Sequence, residues 1–436
     1  MKNAKIENIY TLEGAVPLKN ALPVGLQHIL AMFVANITPI MILANVCGIE
    51  PSLSARLIQN AMIVAGIGSL LQLFPLWRVG SGLPIVMGIS FTFLNTAIFI
   101  GTSYNIGTVI GCVIVGGIIE GLLGLFAKYW MKIISPIVAA TVVTAIGFSL
   151  LSVGANSFAG GQGSADFGSV HNWIIGTVTL VSCLLFTIFT KGYIKVLSVL
   201  FGLIVGYIVA ILFGAVDFTV LSSTKIVSLP AFLPFKPEFN LGAIISMLVI
   251  YLVSATETIG DSTAVCETGL NKEISEKELS GALAVDGFVS SISGLFGCTP
   301  ITSFSQNIGL VAMTKVVNRF TIATGAVIMI IAGIFPIFGA LLTTVPQAVL
   351  GGCTIMMFGT IVVAGFQLVG KCGYTARNTT IVALSLSVGL GFTQCNEMFK
   401  IFPKIVQSVF AENCVAVVFV LAILLNLLLP KDTQDS

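Results

Sequence analysis

Long apolar runs, separated by short polar segments, follow one another along almost the whole chain. A helix that crosses a bilayer needs roughly 20 mostly apolar residues, and about fourteen stretches can be drawn on that basis. The predicted spans are residues 22–45, 57–76, 83–100, 106–127, 133–154, 173–190, 195–214, 241–260, 279–297, 302–317, 320–342, 346–365, 378–394 and 413–429. This pattern predicts an all-α, polytopic membrane protein.

The basic residues give these spans a direction, because Lys and Arg are enriched in the cytoplasmic loops of membrane proteins. With the N-terminus placed in the cytoplasm, 15 of the 20 basic residues fall on the cytoplasmic side. The other five are Arg56, Lys225, Lys236, Lys400 and Lys404. The distribution therefore predicts an even number of spans, with both termini in the cytoplasm.

The composition excludes several classes of protein. Hydrophobic residues make up 56% of the 436 residues, charged residues only 9%, and the mean hydropathy is +1.05. Because soluble globular proteins carry about 25% charged residues, a soluble enzyme is excluded, and so is a disordered chain. The net charge of +2 offers no basic surface to a nucleic acid. The nine cysteines are scattered without a CxxC pair, so neither a metal site nor a disulfide framework is predicted.

Two predicted spans are interrupted by glycine and proline near their starts. The third contains GLPIVMGISFTF (residues 82–93) and the tenth contains GCTPITSFSQN (residues 297–307). Because these spans lie seven apart and an odd-numbered repeat must be inverted, we predict a 7+7 inverted repeat with short extended segments in spans 3 and 10. Such backbone is tolerated in a membrane only where it lines a protein-enclosed cavity. The alternative is that both helices are merely kinked.

Few ionisable residues lie inside the predicted spans, and each costs roughly 2.5–3.5 kcal/mol on insertion scales. Glu257 and Asp261 are four residues apart in span eight, so they share a helix face. Two carboxylates this close in a low dielectric disfavour ionisation of both, which makes one of them a candidate proton carrier. The alternative is a structural pair that neighbouring hydroxyls satisfy. Asp286 is a further candidate, or an acid at the start of span nine. His28 in span one is a site residue or a buried core residue. Glu120, among glycines, is predicted to hydrogen-bond across a helix interface.

Polar amides and aromatic rings lie beside the interruptions. Gln306 and Asn307 occur where span ten turns helical, and an amide matches an edge that presents C=O next to N–H. The carboxylate of Glu257 accepts only, so it matches N–H groups. Phe91 and Phe304 offer flat faces for stacking. Since no span core contains Lys or Arg, these residues predict a transporter for a polar, planar solute that is uncharged or weakly acidic.

The segment QNIGLVAMTK, residues 306–315, resembles the signature of the nucleobase–ascorbate transporters, also called the nucleobase:cation symporter-2 family. That signature reads Gln, Glu or Pro, then Asn-x-Gly-x4-Thr, and finally Arg, Lys or Gly. Further similarities are Gln27-His28, Ser90-Phe91, residues 256–261, and an acid at Asp286, twenty residues before Gln306. The resemblance covers essentially the whole chain.

The resemblance implies a division into two moving domains. A core domain would comprise spans 1–4 (residues 22–132) and spans 8–11 (residues 241–345). A gate domain would comprise spans 5–7 (residues 133–240) and spans 12–14 (residues 346–429). Cytoplasmic tails would occupy residues 1–21 and 430–436. The resemblance also implies a homodimer in the cell membrane.

For function, the resemblance implies uptake of nucleobases by proton symport, or sodium symport in some members. The carboxylate at Glu257 would hold the base, and backbone at Phe91 and Ser305 would contact it. Glutamine at position 306 resembles the residue found there in the bacterial xanthine and uric acid permeases, whereas uracil permeases carry Glu. Asp261 also favours the purine branch, because a uracil permease has His at that position. Xanthine and urate are not separated.

The expected mechanism uses the residues named above. Glu257 and Gln306 bind the purine edge, Asp261 or Asp286 exchanges the proton, and His28 and Asn307 shape the site. No cofactor is expected beyond the co-transported cation. The alternatives are a uracil or other nucleobase permease of the same family and, more distantly, an anion exchanger or channel on the same fold. No catalytic motif indicates an enzyme.

Overall fold

The computed structural model describes residues 5–130, 135–222, 227–411 and 413–430. Within these ranges the chain is predominantly helical and contains one two-stranded β-ladder. Parts of the predicted tails, residues 1–4 and 431–436, lie outside the described residues. The same is true of four basic residues used for the orientation, namely Lys2, Lys132, Lys225 and Lys431.

The first half of the chain contains seven main helices and one strand within the described residues. They are α1 (Leu18–Val46), α2 (Pro51–Leu73), β1 (Met87–Ile89), α3 (Leu94–Ser103), α4 (Ile106–Leu125), α5 (Pro136–Phe158), α6 (Val170–Phe189) and α7 (Ser198–Leu212). Short helical turns occur at Ile6–Tyr10, Phe91–Phe93, Ala127–Trp130, Tyr193–Val196 and Thr219–Ser222.

The second half repeats this plan. Its elements are α8 (Leu241–Gly269), α9 (Glu276–Leu295), β2 (Ile301–Ser303), α10 (Ser305–Thr314), α11 (Arg319–Ile334), α12 (Pro336–Thr343), α13 (Gln347–Cys372), α14 (Ala376–Gln394) and α15 (Cys414–Leu428). Further short helices occur at Asn396–Ile401 and Lys404–Phe410. Several helices start at a side chain that accepts a hydrogen bond from the first turn, as Asn105 does from Thr108 N and Asn240 from Ala243 N.

Every predicted span overlaps a helix of the structure, and seven described helices are long and apolar enough to cross a membrane on their own. Helices α3, α7 and α15 are apolar but shorter. The predicted span over residues 320–342 is bent in the structure, because α11 and α12 meet at an angle of 79°. Phe335 is extended at that break and Pro336 begins α12, since proline has no N–H to continue the preceding helix.

The helix packing repeats between the two halves. Helix α2 packs along α11, and α9, which is seven spans after α2, packs along α4. The pair α6 and α7 in the first half matches the pair α14 and α15 in the second. Helix α5 packs against its own counterpart, α13. This pattern of contacts is the one that a 7+7 inverted repeat produces.

Glycine allows α4 and α9 to approach closely. A Cβ atom at Gly117 would lie 2.6 Å from the carbonyl oxygen of Gly287 and 2.6 Å from the backbone nitrogen of Ser291. Helices whose backbones touch in this way gain dispersion contacts that larger residues would prevent. The interface fixes α9, and therefore the strand that follows it.

The interruptions in spans 3 and 10 are paired extended segments. Strands β1 and β2 are antiparallel, with Met87 opposite Ser303 and Ile89 opposite Ile301. The pairing continues beyond both ends, because Ser90 N donates to the carbonyl of Pro300 and Phe304 N donates to the carbonyl of Val86, each at 3.0 Å. The ladder therefore satisfies backbone groups that would otherwise be unpaired inside the protein. The prediction of extended segments is confirmed, and the alternative of two kinked helices is wrong.

Candidate functional site

The two strands end at the first turns of two helices, and this junction is the centre of the candidate site. Strand β1 leads through the turn Phe91–Phe93 into α3, and β2 leads into α10, which begins at Ser305. The first N–H groups of a helix lack partners within the helix and carry about half a positive charge together. Two such helix starts therefore meet at this junction.

Serine hydroxyls from corresponding helices hold the two strands. Ser69 Oγ in α2 accepts a hydrogen bond from Met87 N of β1 at 2.9 Å. Ser290 in α9 lies beside β2, where its Oγ is 3.2 Å from Ile301 N and 3.0 Å from Ile301 O. Because α2 and α9 occupy the same place in the two halves, the anchoring of the ladder follows the inverted repeat.

Strand β1 leaves no room for a side chain at Gly88. A Cβ atom there would lie 2.6 Å from Met32 Cε, 2.7 Å from Phe304 Cδ2 and 2.9 Å from Asn36 Oδ1. Asn36 Oδ1 already accepts a hydrogen bond from Ile89 N at 2.7 Å. The ring of Phe304, a predicted stacking face, is 5% exposed, so it packs against the ladder.

Glu257 and Asp261 meet at one hydroxyl, as their spacing on α8 predicts. Ser305 Oγ lies 2.7 Å from Asp261 Oδ2 and 3.3 Å from Glu257 Oε1, and Thr92 Oγ1 donates to Glu257 Oε2 at 2.8 Å. A hydroxyl has one hydrogen, so Ser305 serves one carboxylate at a time. Two carboxyls that share one donor in a low dielectric favour a state with one proton between them.

Asp286 lies behind this pair and holds β2. Its side chain is fully buried, and its Oδ2 accepts hydrogen bonds from Thr258 Oγ1 at 2.5 Å and from Ser303 N at 3.2 Å. Ser303 Oγ lies 3.3 Å from each carboxylate oxygen. Asp286 thus connects α8, α9 and the strand that leads to α10, and its interpretation as an acid at a helix start does not fit its position inside α9.

His28 and Asn307 are in contact, although they are 279 residues apart in the chain. Asn307 Nδ2 donates to His28 O at 3.0 Å and lies 3.4 Å from His28 Nδ1. Both side chains are 1% exposed. The contact joins α1 to the first turn of α10 beside the carboxyl pair.

Gln306 lies in the same turn but faces a cavity. The cavity, called the Gln306 cavity below, has a volume of about 290 Å³ and is also lined by Gly309, Met357 and Thr360. Helices α1 and α10 form one side of it, and α13 with residues near α6 and α7 forms the other. The side chain of Gln306 forms no hydrogen bond with Glu257; Ser305, its neighbour in sequence, makes that contact.

Phe91 lies beside Thr92, in the turn between β1 and α3. Its ring is 7% exposed and packs edge to face against Phe358 of α13, with 5.1 Å between the ring centroids. Phe358 was not among the predicted site residues, because one phenylalanine in an apolar span carries no signal. Thr92 and Asn36 were not predicted either, although Thr92 directly follows the Ser-Phe pair of span three.

The prediction for Glu120 is wrong. Its side chain is 3% exposed, but neither carboxyl oxygen has a hydrogen-bond partner among the described residues. It lines an apolar cavity with Tyr251, whose hydroxyl donates instead to the carbonyl of Val113 at 2.9 Å. The glycines around Glu120 correctly predict close packing of α4 against a neighbouring helix. Within the described part of the chain, that helix places no hydrogen-bond donor near the carboxyl group of Glu120.

The last signature position, Lys315, needs a left-handed backbone, since it ends α10 with φ of 59°. Lys→Gly there should change stability by less than about 1 kcal/mol, because relief of strain offsets the lost hydrogen bond from Lys315 Nζ to Thr268 O. Lys→Val should cost about 1–3 kcal/mol, because β-branching opposes φ > 0. Melting temperatures of purified variants measure both, with the exposed Lys371→Val as the control. Equal melting temperatures for Lys315→Gly and Lys315→Val would contradict this account.

Known proteins are similar to this chain over most of its length. A family model described as a permease family (Xan_ur_permease) matches residues 19–398. The xanthine permease of Bacillus subtilis is 34% identical over 93% of this chain and 93% of its own length. The xanthine permease XanQ of Escherichia coli is 34% identical over 99% of this chain and 95% of its own. The uric acid permease PucK of Bacillus subtilis is 34% identical over 86% of this chain and 88% of its own length.

Solved structures share the fold at low sequence identity. The transmembrane domain of the cyanobacterial bicarbonate transporter BicA gives a TM-score of 0.62 at 15% identity, covering 92% of this chain and 98% of that chain. The murine anion transporter Slc26a9, in its inward-facing state, gives a TM-score of 0.62 at 10% identity, covering 97% of this chain and 70% of that chain. These similarities confirm the all-α, polytopic, inverted-repeat fold class. The count of fourteen spans stays a prediction.

Proposed function

Because the chain belongs to the nucleobase–ascorbate transporter family, we propose that it imports a purine nucleobase, xanthine or urate, across the cell membrane together with protons. It is a multi-pass membrane permease and not an enzyme. The observation that carries the proposal is the junction of β1 and β2 with two helix starts, where Glu257 lies beside Ser305 and Gln306 faces the adjoining cavity.

The purine edge has groups that this junction can bind. The carboxylate of Glu257 accepts hydrogen bonds from ring N–H groups, and the amide of Gln306 both donates and accepts. The N–H groups at the start of α10, near Ser305, and those after Phe91 suit the carbonyl oxygens of xanthine or urate. A planar ring at this place would displace the contact of Phe91 with Phe358 or lie beside it.

Proton coupling belongs to the acids around Ser305 in this proposal. A proton taken up by Asp261 or Asp286 leaves Glu257 free to accept from the base, because fewer carboxylates then oppose its charge. His28 and Asn307 fix the position of the first turn of α10. Each proton taken up removes one negative charge, so the loaded site moves across the low-dielectric region at a smaller cost than the unprotonated one.

The moving parts are proposed from the packing of the helices. α1–α4 and α8–α12 would form the core that carries the site, and α5–α7 with α13–α15 would form the gate. The Gln306 cavity lies between these two groups of helices, which is where relative motion opens or closes a path. A homodimer and cytoplasmic termini complete the proposal.

Uptake of labelled xanthine, urate, uracil and hypoxanthine into cells that lack nucleobase transport tests the proposal. We expect saturable uptake of xanthine or urate, and loss of accumulation when a protonophore collapses the proton gradient. Replacing sodium with choline controls for a sodium-coupled member. Uptake of uracil alone would favour the uracil permease instead. Uptake of bicarbonate or sulfate without any purine would favour an anion exchanger, which Glu257 at the site opposes by charge.

A further inference from the structure

A second cavity lies further along α1 and α13 from the Gln306 cavity. We call it the amide cavity; it has a volume of about 660 Å³. It lies near residues 42–46 at the end of α1 and near Gln347 at the start of α13. The Gln306 cavity lies near residues 30–35 of α1 and 356–360 of α13. The two cavities are therefore arranged one after the other along the same pair of helices.

Two contacts connect the elements around these cavities. The rings of Phe91 and Phe358 join the turn before α3 to α13, with 5.1 Å between the ring centroids. Asn95 Nδ2 donates to the carbonyl of Ser149 at 2.9 Å, and this hydrogen bond joins α3 to α5 at the lining of the amide cavity.

The polar lining of the amide cavity consists of amides and hydroxyls. Five amide side chains line it without a side-chain hydrogen bond to any described residue: Asn45, Asn156, Gln162, Gln347 and Gln394. No Asp, Glu, Lys or Arg is among its described lining residues. Each free amide presents two donors and one acceptor group. The cavity thus offers many hydrogen bonds of both kinds and no charge.

Aromatic faces complete this chemistry. Phe99 of α3 and Phe148 of α5 line the same cavity and are partly exposed. Flat rings stack on aromatic faces, and each stacked pair contributes roughly 0.5–1.5 kcal/mol beyond burial of area. A volume of 660 Å³ is in the range of small-molecule sites, which run from about 300 to 1,000 Å³.

We propose that the amide cavity is a second binding site, which holds an uncharged, planar heterocycle with alternating donors and acceptors before the solute reaches Glu257. This inference rests on the proposed function, because it takes the ligand to be the transported nucleobase. It adds a site whose residues share none with the junction of the strands. The distribution of basic residues predicts that this cavity faces the outside of the cell.

Counting bound xanthine per chain tests the proposal. Equilibrium binding of labelled xanthine to the purified full-length protein should give two sites for the wild type. Glu257→Gln should keep the amide-cavity site alone. The double variant Asn156→Ala, Gln347→Ala should keep the Glu257 site and weaken the other at least tenfold. Because alanine also removes packing contacts, the matched variant Asn156→Asp, Gln347→Glu keeps the size of both side chains and adds charge, and we expect the same loss of binding.

Uptake kinetics provide a second measurement. The amide-cavity variants should raise the KM for xanthine about five- to tenfold and leave the maximal rate within twofold. One site in the wild type that Glu257→Gln abolishes, with both double variants binding like the wild type, would overturn the second site and leave the proposed function standing. A wild type that binds and transports no purine at all would overturn both.

Discussion

Glu257→Gln should lower xanthine or urate uptake at least 100-fold, the largest effect we expect from a single substitution. The amide keeps the shape of the side chain and can still accept from Thr92 Oγ1, so the fold should be unchanged. It places an NH₂ group where the base presents N–H, so a charge-assisted bond is lost and two donors face each other. A charge-assisted hydrogen bond contributes about 1.5–3 kcal/mol, and an unpaired buried group adds to the loss. About 2.7 kcal/mol corresponds to 100-fold.

The matched control for this prediction lies on the same helix. Glu267 is exposed near the end of α8, so Glu267→Gln makes the same chemical change away from the site and should leave uptake within twofold. Initial rates are compared after quantifying each variant in the membrane. Uptake by Glu257→Gln at half the wild-type rate or above would refute the role assigned to the carboxylate.

Asp286→Asn should separate the anchoring of β2 from proton coupling. The amide oxygen can accept from Thr258 Oγ1 and Ser303 N, and its NH₂ group can donate to Ser303 Oγ, so stability should change by less than about 1 kcal/mol. A neutral amide cannot exchange a proton, so accumulation against a gradient should fall at least tenfold. Asp286→Ala should instead lower stability by about 2–4 kcal/mol, because buried donors lose their acceptor.

These two variants are compared by melting temperature, by accumulation at steady state and by exchange of internal for external xanthine. We expect Asp286→Asn to keep exchange, which needs no net proton movement, and to lose accumulation. Thr258→Val serves as the control that removes one hydrogen bond and leaves the carboxyl. Full accumulation in Asp286→Asn would assign Asp286 to structure alone and leave Asp261 as the proton carrier.

Much of the fold follows from sequence because the bilayer limits the choices. Apolar runs about 20 residues long become helices, and the two glycine- and proline-rich interruptions indicate extended backbone that the protein must enclose. The pairing of β1 with β2 did not follow, since each strand has three residues and its partner is more than 200 residues away. The bend at Pro336 was not predicted. Proline inside a span signals a break, but the apolar run continues through it, so the pattern predicts one span.

Site residues could be predicted where a charged side chain lies in an apolar segment. Some of those with uncharged side chains could not be predicted. Glu257, Asp261 and Asp286 were readable, because a buried acid needs a reason. Thr92 and Asn36 were not, since uncharged polar side chains also form ordinary hydrogen bonds between packed helices. Phe358 depends on how α13 faces α3, which is a property of the packed helices and not of any short segment.

The β-ladder has a consequence for how the protein is made. Residues 87–89 of β1 pair with residues 301–303 of β2, so the ribosome must add about 200 residues before the partner exists. At 5–20 residues per second, this takes about 10–40 s. During that time the extended backbone of span three has no hydrogen-bonding partner strand. Burial of each unpaired N–H or C=O group in the bilayer would cost several kcal/mol. We therefore expect span three to wait in the translocon, or at the aqueous interface, until span ten emerges.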